Sequence, residues 1–343
     1  MRELLYKMLK TPSPSGSELN VQKLIIKEME GISDTVIKHH NFNVINVINP
    51  DSDVKILMCG HIDEVGLYIE KVNENGTCRL ARAGGVRPHM YAGQHVRVIN
   101  GNNEEVRGVI GYTPNMEKLT VQDLLLDLGT SSKEETLKLI QIGDPVVHVI
   151  DYQELQNDFL AGRALDDKLG AYIALETLRR VKEQGTKLGV YASSTVGEET
   201  TGRGAKMAAE VVNPTCCIVF DVSYATDINY LSGLTGDTSL GKGPILTRGS
   251  LMNPKIHNLM VEHAKNLGIN IQMDIAPSRT YTDADSVFER CEGIPTYLIS
   301  IPLRYMHSSV EVCSMKDVEE IIQLMVEFIM KFDPNINFDP FEY

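Results

Sequence analysis

The chain has 343 residues, of which 43% are hydrophobic and 23% charged, a composition typical of a globular protein with one large domain and a smaller one. Its formal net charge of -13 argues against a nucleic-acid partner, because phosphate binding requires Lys and Arg concentrated on one face. There is no signal-like N-terminus and no run of about 18 apolar residues, so we expect a soluble, cytoplasmic protein without membrane contact.

Six cysteines are scattered through apolar, strand-like stretches. They lack the paired spacing of a zinc knuckle and the density of a disulfide framework. We therefore expect reduced cysteines in the core, in agreement with a reducing cytoplasm.

The first part of the chain predicts two helices, a buried strand and then a β-rich insertion. Residues 2–10 and about 17–30 have helical periodicity, and the apolar run in VKILMCGHID (54–63) predicts a buried strand. From about 66 to 160, short strand-like runs are separated by Asn-Gly and Gly-Gly turns. This change of character predicts a small inserted β-rich module.

After the insertion, helical and strand-like segments alternate. The predicted segments are helix 166–185, strand 187–196, helix 202–212, strand 216–222, helix 254–268, strands 270–276 and 295–303, and helix 316–332. Such alternation predicts an α/β fold in which a mostly parallel sheet is sandwiched by helices.

Polar residues follow the apolar runs of four predicted strands. They are His61 with Asp63, Glu198 with Glu199, Asp221, and His307, while Asp166 and Asp167 open the helix after the insertion. In open α/β sheets ligands bind beyond the carboxyl ends of the strands, so these side chains should share one crevice.

Each of these residues also has a purely structural explanation, such as a helix cap for Asp166. Together, however, two imidazoles and three carboxylates suit divalent ions that accept both nitrogen and oxygen, namely Zn²⁺, Co²⁺ or Mn²⁺. Two such ions carry four positive charges, which three carboxylates and a bridging hydroxide balance. The sequence thus predicts two divalent metal ions at the edge of the sheet.

Two further acids have predicted supporting roles. Asp63 lies two residues after His61 on one strand, so its carboxylate can accept the second ring N–H of that histidine. Glu198 and Glu199 are adjacent, so one can bind metal while the other transfers the proton. The residues alone leave open which glutamate has which role.

Seven motifs occur in order along the chain: GHIDEVG, GRALDDKLG, VGEETTGRGA, FDVS, LGKGP, YTDAD and SIPLRYMHSSVE. They resemble those of the glutamyl aminopeptidase and tetrahedral aminopeptidase family of two-metal metallopeptidases, some of which carry endoglucanase names. The resemblance extends over nearly the whole chain. Lys168 stands where an arginine is common in the family, and Tyr224 lies in a variable stretch.

The resemblance implies a role for each candidate residue. The metal ligands would be His61, Asp166, Glu199, Asp221 and His307, with Asp166 bridging both ions, Asp63 supporting His61 and Glu198 as the general base. It further implies a catalytic domain from 1–65 and 161–343, and a β-barrel dimerisation domain from 66–160. Homo-oligomers are expected, as dimers or a tetrahedral dodecamer.

On this interpretation the chain is a metallo-aminopeptidase that removes the first residue of peptides with a free N-terminus, through a metal-activated water and Glu198. A two-metal deacylase or carboxypeptidase would need similar ligands, whereas an endoglucanase would need two carboxylates flanking a sugar. A non-catalytic metal-binding scaffold is a further alternative.

The segment GDTSLGKG (236–243) matches the first part of a phosphate-binding loop, but such a loop is disfavoured. Gly243 stands where the required Ser or Thr should be, and Pro244 obstructs the helix that should follow. The preferred N-terminal residue stays open, since the pocket would be formed by loops 223–240 and 276–286. Arg279 or Lys242 could favour acidic side chains.

Overall fold

The computed structural model describes residues 2–112, 118–228, 236–339 and 341. The helices are α1 (Glu3–Lys10), α2 (Leu19–Glu28), α3 (Lys133–Leu137), α4 (Leu165–Gln184), α5 (Glu198–Thr201), α6 (Arg203–Val212), α7 (Pro254–Leu267), α8 (Asp283–Phe288) and α9 (Met315–Met330). Short 3-10 helices cover Pro88–Met90, Val121–Asp123 and Gln156–Asp158. No helix in these described ranges is long and apolar enough to cross a membrane.

The strands divide between a large sheet, a barrel and a small sheet. They are β1 (Thr35–Lys38), β2 (Val44–Ile48), β3 (Lys55–His61), β4 (Gly66–Val72), β5 (Cys78–Ala83), β6 (His95–Ile99), β7 (Glu105–Ile110), β8 (Leu125–Asp127), β9 (Pro145–His148), β10 (Tyr152–Glu154), β11 (Phe159–Gly162), β12 (Gly189–Thr195), β13 (Cys216–Tyr224), β14 (Ile245–Gly249), β15 (Gln272–Ala276), β16 (Thr296–Leu303) and β17 (Glu311–Ser314).

The large sheet has the strand order β1-β2-β12-β3-β13-β16-β14-β15. Its four central strands, β12, β3, β13 and β16, are parallel and buried except for the first residue of β3 and the last two of β13, as expected for strands covered on both faces. Antiparallel pairing occurs at β1–β2, β2–β12 and β14–β16, so the sheet is mixed towards its edges. One helix group, α4 with α1, α9 and α7, and another, α6 with α8, pack on it. The predicted α/β fold is confirmed.

The barrel is closed by six antiparallel strands in the order β4-β5-β8-β7-β6-β9 and has its own apolar core, including Leu67, Val98 and Leu126. It confirms the predicted small inserted β-barrel. The last barrel strand ends at His148, and the following β10 and β11 form a three-stranded sheet with β17. Residues 152–162 therefore connect the barrel to the strand that follows His307.

One of the six cysteines does not lie in the core, contrary to the prediction. Five are buried, but Cys291 is exposed and has a φ of 54°, because it lies in the turn after α8 rather than in a strand. All six are free, and Sγ of Cys217 lies 4.0 Å from that of Cys59 on the neighbouring strand.

Candidate metal centre and active site

The carboxyl ends of the central strands bring the predicted site residues together. β3 ends at His61 beside Thr195 of β12, and Asp221 of β13 lies beside Ser300 of β16. Glu198 opens α5 directly after β12, and Asp166 lies at the start of α4. The remaining candidates, Glu199, His307 and Asp63, lie at the same edge and line or support one crevice.

Two groups of possible metal donors lie in this crevice and share one residue. The first consists of His61, Asp166 and Asp221, and the second of Asp166, Glu199 and His307. Within each group, one donor atom per residue lies within 4.8 Å of the others. The two groups define two adjacent candidate cation positions, here called the inner position (with His61 and Asp221) and the outer position (with Glu199 and His307).

The Asp166 carboxylate faces both positions with different oxygens. Its Oδ1 lies 3.1 Å from Nε2 of His61, and its Oδ2 lies 3.2 Å from Nε2 of His307. Nε2 of His307 is also 3.5 Å from Oε1 of Glu199. Asp166 and Asp167 have non-helical dihedrals and are joined by a cis peptide bond, and the regular helix follows them.

The electrostatics of this crevice suit a cation. Burial, reinforced by the charge of Asp166, raises the pKa of Glu199 well above its ordinary value, and burial together with the charge of Asp167 does the same for Asp221. Oε1 of Glu199 is buried and has no hydrogen-bond partner among the described residues. Divalent ions would satisfy this oxygen and relieve the repulsion between the carboxylates, so the donor set fits two metals.

Three acids hold the backbone of the candidate ligands. Glu311 accepts the Asp166 N–H at 3.2 Å and the His307 N–H at 2.8 Å, whereas Asp167 accepts the His61 N–H at 3.2 Å. The third acid, Asp63, accepts the backbone N–H groups of Glu198 and Glu199. The His307 backbone is in the left-handed region, with a φ of 61°, and its hydrogen bond to Glu311 holds it there. Glu311 is the last residue of the motif SIPLRYMHSSVE, but no role was predicted for it, because a carboxylate that binds backbone amides has no characteristic spacing.

The carboxylate of Asp63 contacts a different group from the one predicted. Its Oδ1 is 3.7 Å from Nδ1 of His61, beyond hydrogen-bond distance, and this ring nitrogen instead lies 3.0 Å from the Asp63 carbonyl oxygen. The carboxylate accepts the backbone N–H groups of Glu198 and Glu199 at 3.0 and 3.3 Å. Asp63 therefore orients the ring through its backbone and fixes the glutamate pair through its side chain.

The two adjacent glutamates are placed differently. Glu199 belongs to the outer donor group, whereas Glu198 belongs to neither. Oε2 of Glu198 lies 3.8 Å from Nε2 of His61, and its side chain lines the cleft. Burial, opposed by His61 but reinforced by Asp221, raises the pKa of Glu198 to about 9. This geometry leaves Glu198 free to exchange protons.

A Gly-Gly turn of the barrel packs against the outer position. A Cβ added to Gly85 would lie 2.7 Å from Nδ1 of His307, and one added to Gly84 would lie 3.1 Å from Cβ of Glu199. Gly84 also has a φ of 77°, which favours glycine. The sequence suggested only a turn here, because the close approach depends on tertiary structure.

A cleft of about 680 Å³ leads to the two positions. Its outer wall contains Arg279, Tyr281 and Tyr224, and Tyr224 accepts a 3.1 Å hydrogen bond from Arg87 of the barrel. Of the two basic residues suggested for specificity, Arg279 lines the cleft and Lys242 does not. Residues 229–235 of the predicted pocket loop 223–240 lie outside the described residues.

The loop that partly matches a phosphate-binding motif is bound by a side chain of the protein itself. The Asp317 carboxylate accepts the N–H groups of Gly241 and Gly243 at 2.7 and 2.8 Å. These amides thus already have an anionic partner, as expected if the loop has no phosphate ligand.

A buried charge cluster lies behind the site. Glu64 pairs with Arg163 and, at 3.1 Å, with Lys168, and all three side chains are buried. Arg163 also binds Asp151 at 2.9 Å, and Asp151 binds Arg97 of barrel strand β6. The cluster therefore connects the barrel to the segment that carries Asp63 and to the start of α4. Lys168 contributes to this connection.

The chain is similar in sequence to known aminopeptidases. The model of the M42 glutamyl aminopeptidase family matches residues 43–324. A lysyl aminopeptidase of Pyrococcus furiosus is 30% identical over 349 residues, which cover 98% of this chain and 99% of that protein.

Solved structures show the same architecture. An aminopeptidase from the archaeon Desulfurococcus kamchatkensis superposes with a TM-score of 0.89 at 31% identity, covering 96% of this chain and 94% of that one. The Pyrococcus horikoshii TET1 peptidase, which can assemble into a tetrahedron or a large octahedral shell, has a TM-score of 0.84 at 28% identity, with coverage of 95% and 98%.

Proposed function

The chain belongs to the M42 glutamyl aminopeptidase family of peptide hydrolases, and on this premise we propose that it removes N-terminal residues from peptides with two divalent cations and Glu198 as the proton shuttle. The inner cation would be held by His61, Asp166 and Asp221, and the outer one by Asp166, Glu199 and His307.

The observation that carries the proposal is the shared carboxylate of Asp166. Its two oxygens face two different histidines at 3.1 and 3.2 Å, and each histidine has a further carboxylate beside it. A single structural ion would need only one such group. When bound, the paired cations polarise the scissile carbonyl and acidify a water molecule.

The chain's own residues supply the proton transfers. Glu198 is not required as a ligand, lines the cleft and is held at its backbone by Asp63. Its carboxylate accepts a proton from the attacking water and returns it to the leaving amine.

The acidic inner end of the cleft supports the restriction to N-terminal residues. Glu198 lines the cleft and belongs to neither donor group, so a substrate's free α-amino group can bind its carboxylate or one of the cations, which would limit cleavage to the first residue. A peptide with an acetylated N-terminus would lack this attraction.

We further propose residues 66–160 as the dimerisation domain, with 1–65 and 161–343 as the catalytic domain. The barrel exposes large apolar side chains, among them Tyr112 at 73% and Ile142 at 64%. Exposed apolar residues on a small module are typical of a protein contact. The TET1 peptidase assembles into shells, and by analogy this chain would form homo-oligomers built from dimers.

The test is peptide hydrolysis after removal of metal with a chelator and restoration with Zn²⁺, Co²⁺ or Mn²⁺. We expect metal-dependent release of the first residue only, and no cleavage of the same peptides when acetylated. Cleavage of the acetylated peptides would instead indicate a deacylase or an endopeptidase, and metal-independent cleavage would contradict the proposal.

A further inference from the structure

The inner and outer cation positions differ in their burial and in the segments that surround them. All three donors of the inner position are buried, with His61 only 2% exposed, and they come from the α/β part of the chain. At the outer position the His307 side chain is 23% exposed. The outer position is thus the one that depends on a neighbouring segment for its enclosure.

That neighbouring segment is the barrel. Gly84 and Gly85 follow β5, and next in the chain is Val86, which is anchored in the barrel core. A small cavity of about 20 Å³ between the two parts is lined by Tyr91 and His148 of the barrel together with Glu199 and His307. Asp166, the donor that both positions share, also lines it, whereas His61 and Asp221 do not.

The turn also has a tether to the α/β part. Arg87 donates a 3.1 Å hydrogen bond to the hydroxyl of Tyr224, at the end of the strand that carries Asp221. The turn therefore follows β5 directly and is held on its C-terminal side by Val86 in the barrel core and by Arg87 at the cleft.

We propose that the barrel, through the Gly84–Gly85 turn, sets the affinity of the outer position for its cation and leaves the inner position unaffected. The inference rests on the proposed two-cation site. The His307 ring is confined between Gly85 on one side and Asp166 and Glu199 on the other, so displacement of the turn changes the donor geometry of the outer position alone. Gly84, Gly85 and Arg87 are positioning residues.

The test is Gly85→Ala, read out by the number of Zn²⁺ ions bound per chain across a range of free Zn²⁺ in equilibrium dialysis. The new methyl group would meet the His307 ring at 2.7 to 2.8 Å. We expect affinity for one ion to fall about 10- to 100-fold, as for loss of groups that support a ligand, and affinity for the other to stay unchanged.

The matched control is Gly111→Ala, the same substitution in the same barrel. A Cβ at Gly111 would meet no atom of the described residues within 4 Å. This variant should bind two ions with wild-type affinities.

A second substitution, combined with the first, identifies which cation position is affected. Asp221→Asn should weaken the inner position only, so Gly85→Ala combined with it should leave no tightly bound ion. A double variant that still binds one ion tightly, or a Gly85→Ala protein with two wild-type affinities, would overturn the inference.

Thermal unfolding of each variant reports whether it folds. If Gly85→Ala does not fold, Tyr224→Phe decides, since it removes the hydrogen bond to Arg87 without adding atoms, and unchanged zinc affinities would overturn the inference. A wild-type protein that binds fewer than two ions would contradict the proposed function as well, whereas two ions in the wild type with no effect of the turn would contradict this inference alone.

Discussion

The α/β part and the barrel contribute to the site in different ways. The α/β part supplies all the candidate ligands and the proposed proton shuttle, from strand ends and helix starts that meet at one sheet edge. The described residues of the barrel supply no side-chain donor, but Gly84 and Gly85 approach the outer ligands so closely that no Cβ would fit without displacement. The metal donors and the shape of the site thus come from separate parts of the chain. Substitutions in the two parts should therefore have different effects on metal binding and activity.

The largest effect is expected in the α/β part, at the carboxylate common to both positions. Asp166→Ala removes a donor from each group, so both cations and their Lewis-acid contribution should be lost. Activity should fall more than about 10⁴-fold. Metal analysis beside the peptidase assay checks this, and full retention of two ions would contradict the bridging role.

Glu198→Gln should separate metal binding from proton transfer. The amide has nearly the same shape but cannot accept the proton, so kcat should fall about 10²- to 10⁴-fold while both ions remain bound. Steady-state kinetics and metal content measured on the same sample check this result. Wild-type turnover would mean that another group transfers the proton.

The connection between the two parts is expected to matter for stability. Arg163→Met leaves the buried Glu64 without its main partner, and loss of one member of a buried pair costs about 3–5 kcal/mol. Denaturant unfolding measures the change. The control Arg2→Met removes an exposed pair with Asp158 and should cost less than about 1 kcal/mol.

The same cluster predicts a pH dependence. Burial alone would raise the pKa of Glu64, but the charges of Arg163 and Lys168 outweigh it and lower the pKa from 4.5 to about 2. Because the folded-state pKa is the lower one, this stabilisation is complete above pH 4.5 and is lost as the pH falls towards 2. The difference in unfolding free energy between wild type and Glu64→Gln should shrink over that interval, and a constant difference would contradict the assignment.

The smallest effect is expected at the outer wall of the cleft. Arg279 is 66% exposed, and its Nε lies 3.3 Å from Asp285. An exposed charge contributes at most about 1 kcal/mol, so Arg279→Gln should raise the KM for peptides beginning with Glu about two- to fivefold relative to those beginning with Ala. An equal change for both peptides would show that Arg279 does not select acidic residues.

Much of the α/β part follows from sequence. Long apolar runs such as CCIVF predict buried strands, and the polar residues directly after them predict the sheet edge at which the site forms. The short strands β1 and β14 carried no comparable signal, since β1 is a partly exposed edge strand and β14 has five residues, of which the last two are exposed. The apolar pattern of a strand can be recognised in a sequence only when the strand is long enough or sufficiently buried.

The supporting contacts of the site could not be predicted in the same way. Glu311 binds the backbone of Asp166, 145 residues away, and Gly85 approaches His307 from another part of the fold. Both contacts depend on tertiary structure and leave no local pattern. Even Asp63, which the spacing correctly placed beside His61, uses its carboxylate for the amides of Glu198 and Glu199 instead.

The central claim is that two cations share Asp166, one with His61 and Asp221 and the other with Glu199 and His307. The most direct test is a crystal structure of the zinc- or cobalt-loaded protein with anomalous scattering measured at the metal edge. We predict two anomalous peaks flanking the Asp166 carboxylate, with Glu198 bound to neither ion. A single peak, or a peak ligated by Glu198 in place of Glu199, would contradict the account.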